Sequence, residues 1–86
     1  MRFIVYNTES RNVYYKGATY FGFYPNNTDD LYKWKNEMYD NYDSAKRALR
    51  KLKKEDMVFR LVNNPTAKKE NWVIAMVDFT FTFKII

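Results

Sequence analysis

The sequence predicts an α+β domain: an antiparallel sheet of about four strands with one main amphipathic helix packed on one face, in a ββαββ-like order. Three observations predict it. Stretches rich in β-branched and aromatic residues lie near both ends of the 86-residue chain. One stretch in the middle carries apolar residues at three- and four-residue spacing. A short polar turn joins the first two strand-like stretches, which suits an antiparallel hairpin.

Phe3 to Tyr6 reads as the first strand, and Thr8 to Asn12 as a polar turn. Val13 to Tyr15 and Ala18 to Tyr24 read as one longer second strand, with Gly17 as a bulge or bend inside it. Pro25 to Asp30 is a loop, and Leu31, Trp34 and Met38 keep the spacing of a short extra helix over 30–38. Asp40 to Ser44 offers several N-cap side chains. From there a helix runs to about Lys54, with Tyr42, Ala45, Ala48, Leu49 and Leu52 on its buried side. Met57 to Val62 alternates and reads as a strand, and Asn63 to Asn71 as a loop. Trp72 to Ile86 reads as a long strand or two collinear ones. Val73, Ala75, Val77, Phe79, Phe81, Phe83 and Ile85 would share one face of it. One helix cannot hide so aromatic a sheet, so either segment 30–38 covers the rest or a second copy does. A homodimer is the favoured expectation.

Composition closes several functional classes. The chain has no cysteine and no histidine, which removes disulfides, thiolate zinc sites, haem ligation and Ser-His or Cys-His catalysis. No glycine-rich phosphate cradle is present. Asp29 with Asp30, or Asp40 with Asp43, suits a loop or a helix start better than a metal site, and Asp78 is a lone carboxylate in an apolar strand. The reading is therefore one domain over residues 1–86 that is not an enzyme and takes no metal or cofactor. Apolar runs are too short for a signal peptide or a membrane span, so a cytoplasmic location is expected.

The charge is concentrated. Lys46, Arg47, Arg50, Lys51, Lys53 and Lys54 put six cations and no acid into nine residues, while the rest of the chain holds nine basic and ten acidic groups. At about 100° per residue the six cations fill one sector of the helix. The apolar sector runs from Ala48 through Leu52 and Ala45 to Leu49 and Tyr42, which adjoins Lys53. A solvated face is the ordinary explanation of a basic helix, but acids are excluded from this one, which fits a polyanion footprint. Lys68 and Lys69 would extend the patch, and Tyr14, Tyr15 or Tyr20 would stack on bases. The expected partner is nucleic acid, RNA ahead of DNA, with an acidic host protein as the alternative. A membrane partner is not expected, because the apolar face lacks bulky anchors.

Tyr6-Asn7-Thr8, Asp29-Asp30-Leu31 and Tyr42-Asp43-Ser44-Ala45-Lys46-Arg47-Ala48-Leu49 together resemble small early accessory proteins of tailed phages. The resemblance covers residues 2–62, and the aromatic C-terminal strand departs from it. In size, basicity and compartment the chain is similar to the toxin-inhibitory-factor type of T-even phages. That resemblance implies an RNA-binding antagonist of a host toxin–antitoxin ribonuclease.

Overall fold

Alternation along residues 2–7 turns Ile4 and Tyr6 to one side of a strand and Phe3 and Val5 to the other. Ile4, Val5 and Tyr6 are all buried, so this strand needs cover on both faces and lies inside the sheet. The computed structural model describes residues 1–26, 28–62, 71–78 and 82–86. Its elements are β1 (Arg2–Asn7), β2 (Asn12–Tyr15), β3 (Ala18–Phe21), α1 (Thr28–Lys33), a 3₁₀ turn (Lys35–Glu37), α2 (Tyr42–Val62), β4 (Trp72–Val77) and β5 (Phe83–Ile85). The fold is α+β, with a five-stranded antiparallel sheet in the order β3-β2-β1-β4-β5.

The strand boundaries differ from the sequence reading in three places. Lys16 and Gly17 are not a bulge within one strand. Tyr15 pairs with Ala18, so the two residues between them form a tight hairpin turn. Both have positive φ, 48° and 84°, as a type I′ turn demands. β3 then stops at Phe21, because Gly22 takes φ 96° and directs Phe23 into the core. The C-terminal strand is also two strands. The Asp78 amide bonds to the Thr82 carbonyl, and the Asp78 carboxylate accepts the Thr82 amide. The chain turns back there, and Phe83 pairs with Val77.

Met57 to Val62 is helix, not strand. No Gly or Pro separates it from Leu52, and Leu52, Phe59 and Val62 continue the helical spacing in sequence. Alternation over six residues cannot by itself separate a strand from part of a helix. The breakers Asn63-Asn64-Pro65 come only afterwards. At the other end, the Asn41 side chain accepts the Ser44 amide at 2.8 Å and is the N-cap of α2.

Two apolar layers flank the sheet. Val5, Tyr14, Trp72 and Ile74 pack under α2 with Ala45 and Leu52. Ile4, Tyr6, Val13, Ala75 and Val77 face the other way, against Phe23, Leu31, Trp34 and Met38. The short helical segment expected over 30–38 is thus α1 with its 3₁₀ turn, and the chain itself covers the second face. Tyr39 is a connector: it bridges Phe3 through both backbone bonds and takes the Lys16 amide on its hydroxyl at 3.1 Å. Among the described residues no helix is long and apolar enough to cross a membrane.

Candidate nucleic-acid interface

The cations of α2 are presented as a set. Ala45 and Leu52 anchor the helix on the sheet, which leaves Lys46, Arg47, Arg50, Lys51 and Lys54 exposed and Lys53 half-buried. They form two parallel stripes at i, i+4 and i+7: Lys46, Arg50 and Lys53 on one, and Arg47, Lys51 and Lys54 on the other. Each stripe is about 10 Å long at the α-helical rise. Arg50 has a cation at each of its helical neighbours, Lys46, Arg47, Lys53 and Lys54.

The length of α2 changes the energetics of this face. Had the helix ended near Lys54, its terminal carbonyls would have offset part of the charge repulsion. The helix instead continues to Val62, and the macrodipole acts only within the last turn. The stripes therefore lie in mid-helix, where Asp43, Glu55 and Asp56, three or four residues from Lys46, Arg47, Lys51 and Lys53 in sequence, offset part of their repulsion, and solvent, counterions or an anionic ligand relieve the rest.

The two stripes have different surroundings. Lys46, Arg50 and Lys53 line a cleft of about 380 Å³ between α2 and β4, together with Tyr42, Leu49, Trp72, Ile74 and Ile86. Its inner wall is apolar and its rim is cationic. Ile86 lines the cleft too, held there by the hydrogen bond its amide donates to the Ile74 carbonyl. Tyr42 stands at the first turn of α2, 42 % exposed. The Phe3 ring meets Tyr42 edge-on, centroid to centroid 5.9 Å, and Lys46 Nζ lies 5.9 Å from its centroid. On the other stripe, Arg47 reaches the Ser44 hydroxyl at 3.5 Å.

The tyrosines expected to stack on bases are not gathered here. Tyr14 is 4 % exposed in the core under α2, so its ring has no open face. Tyr15 is half-buried against the Tyr39 ring at 5.0 Å, with Lys16 Nζ 5.2 Å from its own centroid. It borders a separate polar depression with Arg2, Asp40 and Ser44. Tyr20 is exposed, but it packs edge-on against Trp34 in the layer on the opposite side of the sheet from α2. Lys68 and Lys69 lie outside the described residues.

Tyr42 is the aromatic that the sequence reading misplaced. Its spacing groups it with Ala45 and Leu49, yet it lies at the edge of the apolar sector, beside Lys53 and Lys46. A border position, large ring and polar tip are the signal for a half-exposed site.

The carboxylates have local structural roles. Asp30 accepts the Tyr24 amide at 2.7 Å, Asp43 lies in the first turn of α2 and Asp78 holds its turn. Among the described residues, no three acidic side chains gather where they could hold a metal ion.

Compared with protein-family models, curated proteins and solved structures, the chain matches none of them.

Proposed function

We propose that the protein binds nucleic acid without transforming it, RNA ahead of DNA, through the exposed face of α2. The observation that carries this reading is the double stripe of six cations in mid-helix, with no acid among them and no helix terminus to balance them. Phosphates would neutralise that face at little structural cost, and displaced counterions would supply much of the affinity. The motifs of residues 2–62 that resemble phage early proteins support extending this reading to a phage accessory protein that acts in the host cytoplasm against a toxin–antitoxin ribonuclease.

Equilibrium binding of a labelled RNA across a salt series tests the reading. Neutralising about five phosphates gives a log–log slope of roughly −3.5 to −4.5. A slope near zero overturns it, as does unchanged affinity after Arg47→Glu, Arg50→Glu and Lys51→Glu together. A complex recovered from host extract that survives exhaustive nuclease treatment moves the reading to an acidic protein partner.

Self-association belongs to the same proposal. β3 is an edge strand, and its Phe21 is 83 % exposed, the kind of edge that invites pairing. Light scattering of the protein and of Phe21→Lys tests it: a dimer that the variant splits supports the proposal, and a monomeric wild type removes it.

A further inference from the structure

A flat basic helix face attracts any polyanion, whereas a cleft discriminates among them. Beside the cations, the α2–β4 cleft offers a concave apolar wall of Leu49, Trp72, Ile74 and Ile86 with one half-exposed aromatic ring, Tyr42, at its mouth. The phosphates of a duplex can lie along the stripes. Its bases are stacked and paired inside, so none can enter a concavity. An unpaired strand carries both chemistries in alternation: a flat apolar ring for the wall and a phosphate for the rim. The cleft, at about 380 Å³, is in the size range of small-ligand pockets.

We propose that the α2–β4 cleft takes up one unstacked base of a single-stranded nucleic acid, with Tyr42 as its stacking surface, so that the protein prefers single strands to duplex. This rests on the reading of α2 as the polyanion-binding element. Phe3 braces the Tyr42 ring, which limits the ordering needed when a base arrives. Lys46 lies over that ring in the free protein. An arriving base displaces it, and its ammonium, on a flexible stem, moves to the neighbouring phosphate. Arg50 and Lys53 line the same cleft and hold the phosphates on either side.

The test compares a short uridine-rich RNA with the same RNA annealed to its complement, by fluorescence anisotropy at one fixed salt concentration. Wild type is expected to bind the single strand at least about fivefold more tightly, as stacking of one base allows. Tyr42→Ala should lower single-strand affinity by roughly 5- to 150-fold and leave duplex affinity nearly unchanged. Tyr42→Phe should keep the preference. Equal binding of the two RNAs by wild type overturns the inference without any variant, so a misfolded Tyr42→Ala protein does not shield it. Equal weakening of both RNAs by a folded Tyr42→Ala overturns it too. These failures are distinct from failure of the basic-helix reading, in which neither RNA shows salt-dependent binding.

Discussion

The Asp78 carboxylate accepts a hydrogen bond from the Thr82 amide at 2.9 Å, while the Asp78 amide donates to the Thr82 carbonyl at 3.3 Å. This pair turns what reads as one long strand or two collinear ones into the antiparallel β4–β5 hairpin. Asp78→Ala keeps the backbone bond and loses the side-chain one. Its cost should be about 1 kcal/mol in urea unfolding, with Asp78→Asn retaining part of the difference. A neutral Asp78→Ala would show that the turn is held by other contacts.

The Lys16-Gly17 turn makes a two-sided prediction. A Cβ on Gly17 meets nothing within 4 Å, so Gly17→Ala is penalised only through its backbone conformation. That penalty should be about 1–2 kcal/mol. Lys16 holds φ 48° with an ordinary side chain, and Lys16→Asn, which tolerates that region better, should raise stability by about 0.5 kcal/mol. Thermal unfolding of the two variants side by side checks both signs.

Leu31 tests how the second face of the sheet is covered. It is buried at 2 % exposure between α1 and the strands, and Leu31→Ala should cost about 2–5 kcal/mol. The neighbouring Tyr32 is exposed, with Lys35 Nζ 4.2 Å from its ring centroid, so Tyr32→Ala should cost no more than about 1 kcal/mol. Similar costs for the two would mean that α1 does not cover this face.

Burial pushes the Tyr6 phenol above its ordinary value of 10.0, opposed by the charge of Arg11. Burial likewise raises Tyr39, opposed by the hydrogen bond from the Lys16 amide. The folded state therefore retains these protons at a pH where the unfolded chain has released them. Their contribution to stability is complete below about pH 10 and is lost as pH rises through the folded-state values. Urea midpoints should fall across that alkaline window. Tyr6→Phe, which cannot ionise, should flatten the fall, and an unchanged pH profile in that variant would refute the assignment.

The two stripes of α2 should separate in binding experiments. Removing any one of the six charges should reduce the magnitude of the salt slope by about 0.7–0.9 if it meets a phosphate. Arg50→Ala and Lys53→Ala should also reduce the preference for single strands, because both line the cleft with Tyr42. Lys51→Ala should weaken single strands and duplex alike. Equal effects from the two stripes would leave the cleft without a role.

What the sequence revealed followed the length and regularity of each pattern. The apolar side of α2 extends over three turns, and Ala45 and Leu52 are buried as that pattern requires. The exclusion of acids from its other side was equally visible. The misreadings fall where one or two residues decide the outcome. Lys16-Gly17 is a bulge or a turn depending on a positive φ at lysine, which propensity disfavours. Asp78 ends β4 with its carboxylate on an amide four residues on and its own amide on the carbonyl there, contacts that no alternation pattern shows. The end of α2 depended on six residues compatible with either period. At the candidate site the cations were legible from sequence alone. The cleft was not, because Trp72 reaches it from β4 and Ile86 from the residue after β5, neither of them part of the helix pattern.

The sheet order has a consequence for how the molecule comes into being. β1 is the middle strand, yet its partner on one side is β4, with Arg2 opposite Val77 and Asn7 opposite Trp72. During synthesis the first strand emerges with one flank satisfied early by β2, while the other waits until nearly the whole described chain has been translated. In that interval a buried-type strand, Phe3 to Tyr6, presents an open edge, and α2 has no Trp72 or Ile74 to rest upon. Closure by β4 is thus the long-range pairing that must come late, and variants of the β1–β4 seam should slow folding more than variants of the local β2–β3 hairpin. Nascent chains stalled before Trp72 should be the species that aggregate or recruit chaperones.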